Sequence, residues 1–483
     1  MSEISNLEPH VVWEQFDAIT KIPRPSKKES KIREYLVDFA SRHGLECKCD
    51  AIGNVVMRKP ATAGFENRPA VALQAHMDMV CEKNADVQFD FETDPIDAYV
   101  DGGWVRARGT TLGADCGIGM AAALAALTAE GVEHGPLEAL FTVDEETGLT
   151  GAFELGEDML SAHYLINLDS EDEGELFIGC AGGIDTTAIF TFRPQAAPAG
   201  YVFYRLDIAD LKGGHSGDNI NDGLANSNKL VARLLWMAMQ RFDVRLSYFC
   251  GGNLRNAIPR EAYAIFGIPE ADVKEFERLY AEYASEIKAE YAVTEPKLSV
   301  TLSASAADTV IDEATQMSLV YSLVGVPNGV LAMSYSMPGL VETSSNLASV
   351  KFADENRIIV TSSQRSSVES GKYYAMSAVD SVFTLAGAVV EHSDGYPGWA
   401  PNPKSQLLDV CRSCYHNLFG QEPKVRAIHA GLECGLFLEK YPALEMVSFG
   451  PTMRGVHSPD ERLEIATVDK FWRLLTEVLR SLT

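Results

Sequence analysis

Apolar positions recur at helical spacing through residues 9–44: Val12, Phe16 and Ile19 in one run, Ile32, Leu36 and Phe39 in the next. The Ile22-Pro23-Arg24-Pro25 stretch separates the two helices, and Ser26 with Glu29 fits a capping box for the second. Apolar segments bounded by Gly and Pro predict strands at 54–59 and 70–75; an Ala-rich helix at 117–130 and strands at 137–143 and 164–168 follow. Strands alternating with helices predict an α/β layer with helices on both faces.

The pattern changes after Gly182-Gly183. Strands are expected at 201–211, 244–250 and 262–268, with long helices at 223–240 and 270–291. A second series resembles the first: strands at 298–303, 345–352 and 357–363, helices at 311–324 and 370–385. Residues 185–392 therefore read as an inserted α+β domain, between the two parts of the first domain at 1–184 and 393–483. The turn at Tyr396-Pro397-Gly398-Trp399 marks the return; a helix at 405–418, a strand at 446–449 and a final helix at 468–481 complete the first domain.

Composition narrows the function classes. The 483 residues carry a formal net charge of -27, which argues against nucleic acid and against an anionic membrane surface as partners. No apolar run reaches the ~18 residues of a membrane-spanning helix. The N-terminal stretch has no basic region followed by an apolar one, so no signal peptide is expected. Nine scattered cysteines do not form a disulfide framework, and Cys411 with Cys414 reads as structural because no second CxxC accompanies it. These features predict a cytoplasmic protein.

Five short segments concentrate metal-type ligands. His76 and Asp78 end an apolar strand at i, i+2 spacing, which puts both side chains on one side; His76 can bind a metal while Asp78 orients its ring. Asp115 lies among glycines just before the Ala-rich helix, where it can bridge two metals or simply cap the helix. Glu145 and Glu146 follow a strongly apolar strand; metal-assisted hydrolysis needs one carboxylate on the metal and another to take a proton from water. Asp169 follows another strand, and His457 lies in Gly455-Val456-His457-Ser458-Pro459-Asp460-Glu461 near the C-terminus. Ligand types gathered after strand ends are what an open α/β sheet places at its site. Two His, two Asp and two Glu suffice for two zinc ions with a bridging Asp, a bridging water and Glu145 left free.

These residues resemble the zinc-dependent peptidase family that includes carboxypeptidase G, acylases and carnosinases. The resemblance spans essentially the whole chain and rests on residues 59–64, 74–78, 107–119, 179–185, 211–217, 255–261, 429–437 and 457–461. It implies a mixed-sheet di-zinc catalytic domain with an inserted α+β lid, in which cobalt or manganese can replace zinc. His76 and Asp169 are then ligands of one zinc, Glu146 and His457 of the other, and Asp115 is the bridge. Glu145 matches the general base, Asp78 the carboxylate behind His76, and His215 the oxyanion-stabilising histidine of the inserted domain. Asn346, Arg365 and Gly431 match substrate contacts. The implied activity is hydrolysis of dipeptides, including those ending in histidine such as β-alanyl-histidine. An N-acyl-amino-acid deacylase with the same metal site, or an inactive peptide-binding homologue, is the alternative. The doubled strand–helix series is expected to let the lid complete the site within one chain, and a homodimer is left open.

Overall fold

The structure is a computed structural model describing residues 2–354 and 356–483. The chain divides into two compact units: 1–179 with 401–427 and 432–483, and 180–400 with 428–431. The sequence reading places these breaks at 184/185 and 392/393 instead.

The first unit is built on an eight-stranded mixed sheet. Its strands lie in the order Glu46–Cys49, Val55–Lys59, Leu137–Thr142, Val71–His76, Tyr164–Asn167, Glu445–Ser448, Glu175–Cys180 and Lys424–Ile428. Leu137–Thr142, Val71–His76, Tyr164–Asn167 and Glu445–Ser448 run parallel to one another, so their carboxyl ends share one edge. Val71–His76 and Leu137–Thr142 are buried along their whole length, which explains apolar runs without alternation. Helix Ala114–Thr128, apolar from Cys116 to Leu127, packs against Val71–His76 and against helix His10–Thr20.

A second, four-stranded sheet joins Ala98–Asp101, Trp104–Ala107, Arg462–Glu464 and Met453–Arg454. Arg462 pairs with Arg106, so the segment leading into Asp115 and the loop holding His457 leave the same small sheet.

Two local expectations need correcting. Ser26 and Glu29 form no capping box: the helix is Ser30–Arg42, Ser26 donates its hydroxyl to Asp78 at 2.7 Å, and Glu29 accepts the amides of Lys27 and Asp144. Nor is the Asp115 side chain spent on capping the helix that follows: its two oxygens lie 3.1 Å from His76 Nε2 and 3.1 Å from His457 Nε2.

The second unit carries a nine-stranded sheet. Strands Ser299–Ser305, Tyr201–Ala209, Ala262–Pro269 and Arg245–Gly251 form one half, and Val341–Ala353, Arg357–Ser366, Gly182–Thr191 and Val389–His392 the other, with Gly329–Met333 paired to Val341–Ala353. The halves meet edge to edge at the antiparallel pair Gly251 and Val350. Helices Ser227–Met239, Val273–Glu290, Glu313–Gly325 and Glu369–Leu385 contribute Leu230, Phe276, Leu319 and Phe383 to one continuous core. Strand Gly182–Thr191 escaped the sequence reading because its leading glycines look like a linker.

Candidate metal centre

His76 is the last residue of its strand and is fully enclosed. Its Nδ1 lies 3.3 Å from Asp78 Oδ1, and its Nε2 lies 3.1 Å from Asp115 Oδ1 and 3.3 Å from Asp169 Oδ1. The other oxygen of Asp115 lies 3.1 Å from His457 Nε2, which is also 3.0 Å from Glu146 Oε2. One carboxylate thus faces two histidines, one per oxygen. All five residues assigned to metal from sequence, His76, Asp115, Glu146, Asp169 and His457, converge here with Asp78 and Glu145.

Local backbone explains the convergence. After Leu137–Thr142 the chain turns sharply at Asp144, whose φ is +50°, and enters the single helical turn Glu145–Gly148. Asp78 accepts the amides of Glu145 at 3.0 Å and Glu146 at 3.3 Å, fixing that turn to the His76 strand end. Asp169 stands two residues beyond Tyr164–Asn167, with its amide directed at Asn167 Oδ1.

The electrostatics are those of a crowded, buried anionic cluster. Burial pushes Asp169 up to about 6, and burial with the charges of Asp115 and Asp169 pushes Glu171 up to about 8. Burial and neighbouring carboxylates raise Glu145 well above the usual range. Hydrogen bonds to Asp115 and Glu146 push His457 up to about 11. Burial works against an ionised Asp78, yet His76, Ser26 and the Glu145 amide hold its carboxyl at about 2.

The donor set fits two divalent cations. Glu146 Oε1 and Asp169 Oδ1 are buried with no hydrogen-bond partner. His76 with Asp169, and Asp115 with Glu146 and His457, stand at metal-ligand separations. Each half offers a histidine, its own carboxylate and one oxygen of Asp115, leaving room for water in a four-coordinate zinc arrangement. Glu145 is also within ligand distance of His76 and Glu146, so geometry alone permits it either role.

Sequence reasoning gave no role to the residues that hold this cluster in place. Arg24, buried between two prolines of a stretch that reads only as a helix break, donates to Asp78 O and Gly113 O, both at 2.5 Å. A Cβ on Gly113 or Gly117 would come within 2.6 or 2.7 Å of its Nη2, which accounts for both glycines. Glu433 accepts Gln74 Nε2 at 2.6 Å and Thr142 Oγ1 at 3.0 Å, and Gln74 continues to Asn167 at 2.5 Å, a buried polar chain across three parallel strands.

The remaining candidates belong to the second unit. Strand Gly214–His215 pairs with Ala257–Ile258, and Asp218 Oδ2 lies 3.2 Å from His215 Nδ1. Asn346 donates to Ala257 O at 2.8 Å, and its Oδ1 is buried without a partner. Arg365 donates to the Tyr396 hydroxyl at 2.9 Å, its Nε is buried and unpartnered, and Gly431 packs on the Tyr396 ring so closely that a Cβ would come within 2.9 Å.

Comparison with known proteins agrees with this chemistry. The profile described as Peptidase family M20/M25/M40 matches residues 72–481. A cytosol non-specific dipeptidase of Escherichia coli (strain K12) is 47% identical over all 483 residues and 99% of its own length. The crystal structure of an aminoacylhistidine dipeptidase from Vibrio alginolyticus superposes with a TM-score of 0.95 at 45% identity, covering 100% of this chain and 98% of that one. The aminopeptidase PepT of Bacillus cereus shares the fold, with a TM-score of 0.59 at 14% identity over 99% of each chain. Among the described residues no helix is long and apolar enough to cross a membrane, and the nine cysteines form no disulfide.

Proposed function

The chain belongs to peptidase family M20/M25/M40, and we propose that it hydrolyses dipeptides, those ending in histidine included, at a centre of two zinc ions. His76 and Asp169 would hold one ion, Glu146 and His457 the other, and Asp115 both. When bound, such ions supply Lewis acidity to a substrate carbonyl and make a water acidic enough to react near neutral pH. What carries this reading is the bridging geometry of Asp115, with one oxygen 3.1 Å from each histidine.

Glu145 takes the proton from the attacking water and returns it to the leaving amine nitrogen. Its buried, carboxylate-rich surroundings favour holding a proton between those two steps. Asp78 keeps the His76 ring oriented and, through two backbone amides, keeps Glu145 and Glu146 in register with it. We assign His215 to the oxygen that gains charge as the carbonyl is attacked. Arg365 takes the terminal carboxylate of the substrate, supported by its unpartnered, buried Nε, and Asn346 and Gly431 line the substrate. The dipeptidase names of the Escherichia coli and Vibrio relatives support the substrate class, and the first supports a cytosolic location.

The test is a substrate panel on zinc-loaded protein: β-alanyl-histidine, ordinary dipeptides, tripeptides and N-acetyl amino acids. Dipeptides are expected to be cleaved fastest. Faster cleavage of N-acetyl amino acids would replace this reading with a deacylase.

A further inference from the structure

Glu461 is 2% exposed, so its carboxyl group lies in the interior. It accepts four successive backbone amides: Leu112 at 2.7 Å and Gly113 at 2.9 Å on one oxygen, Ala114 at 2.8 Å and Asp115 at 3.3 Å on the other. A buried carboxylate is tolerated when its lone pairs are filled in this way. The four amides belong to the loop that presents the bridging Asp115. Glu461 itself ends the loop that presents His457, four residues earlier, between Met453–Arg454 and Arg462–Glu464. It therefore latches one ligand loop to the other.

On its other side the same 112–115 loop is held by Arg24. That guanidinium takes Gly113 O together with Asp78 O at 2.5 Å each, and Met77 O at 3.2 Å, tying the loop to the strand end bearing His76. The two buried ions divide the work. Arg24 fixes Asp115 relative to His76, and Glu461 fixes Asp115 relative to His457.

The ligands differ in what else restrains them. The side chains of His76, Glu146, Asp169 and Asp115 are 1%, 4%, 10% and 12% exposed, whereas that of His457 is 51% exposed. His457 also adopts a φ of +61°, an unusual conformation for a histidine that its loop must impose. Packing encloses the first four; apart from its contacts with Asp115 and Glu146, His457 depends on its loop for its position.

We propose that Glu461 is a positioning residue that sustains the second metal position, formed by Asp115, Glu146 and His457, in preference to the first. The inference rests on the two-metal reading above. Glu461→Gln replaces an acceptor oxygen with an NH2 that faces amide donors, so half of the latch is lost while the volume is kept. Arg24, Asp78 and the buried strand still hold His76, Asp115 and Asp169 together.

The experiment is zinc titration of metal-free protein, with bound metal counted by elemental analysis after equilibrium dialysis over a range of buffered free zinc. The wild type is expected to take up two ions per chain, and fewer than two would overturn the two-metal reading itself. Glu461→Gln is expected to retain one ion at wild-type affinity and to bind the other at least tenfold more weakly, within the roughly 10–100-fold range for partners behind metal ligands. Glu461→Asp, which keeps the charge but reaches one carbon less far, is expected to weaken the same ion less, and decides the matter if the Gln variant does not fold. Asp115→Ala is the control and is expected to weaken both. Two ions bound with unchanged affinities in the Glu461 variants, or equal weakening of both, would overturn the proposal even if thermal stability falls.

Discussion

Asp78 Oδ1 accepts the backbone N–H of Glu145 at 3.0 Å. The carboxylate that stands behind the His76 ring also sets the position of the residue assigned as general base, although the two lie 67 residues apart in the chain. In the proposed roles, ligand orientation and base placement form one mechanical unit, because Asp78 Oδ2 also accepts the Glu146 amide.

Asp78→Asn should therefore damage both. An amide cannot accept on both of its heavy atoms and brings no charge to the imidazole. Turnover is expected to fall by roughly 10–100-fold or more, with weaker metal binding alongside it. Steady-state kinetics at saturating zinc, paired with metal analysis, checks this; wild-type kcat in the variant would remove the coupling.

Arg365 is expected to discriminate by the substrate's free carboxylate. Wild-type protein should cleave a free dipeptide far better than its C-terminal amide, and Arg365→Met should raise KM for the free acid while changing little for the amide. The comparison of kcat/KM for the two substrates tests this. Selectivity that survives the substitution would place the carboxylate on another group.

His429 gives a pH signature of stability. Burial, with Arg365 second, depresses its pKa to about 4, and its Nε2 bonds the Ser344 hydroxyl at 2.7 Å. The folded chain thus keeps the ring neutral, while the unfolded chain protonates it near pH ~6.5. Its stabilising contribution is full above the unfolded pKa and is lost as pH falls through that of the folded state. Denaturant unfolding from pH 7 to 4 should show a declining stability that His429→Gln makes shallower; identical slopes would contradict the assignment.

The sheet edge that carries the site is legible in the sequence. Largely apolar strands followed within three residues by His76, by Glu145 with Glu146, and by Asp169 mark it, because a parallel strand buried on both faces is mostly apolar and its carboxyl end is where a ligand becomes accessible. Contacts of long sequence separation leave no such mark. Arg24 reads as a charge between prolines, and only folding carries it across 89 residues to Gly113 O. Glu461 lies within a recognisable segment, yet nothing local signals that it collects amides from a loop 346 residues away at its nearest. Asp115 in isolation reads more readily as a helix cap than as a bridge; the placement of its two oxygens against two histidines, a contact of long sequence separation, is what supports the bridging role proposed for it.

Glu145→Gln tests the account most directly, since Glu145 is near enough to His76 and Glu146 to be a ligand instead of a base. Gln preserves the shape and cannot accept the proton. With Glu145 as base, turnover of β-alanyl-histidine should fall by roughly 10²–10⁴-fold while elemental analysis still finds two zinc ions per chain. Loss of a zinc ion together with activity, or turnover within a few-fold of wild type, would contradict the account.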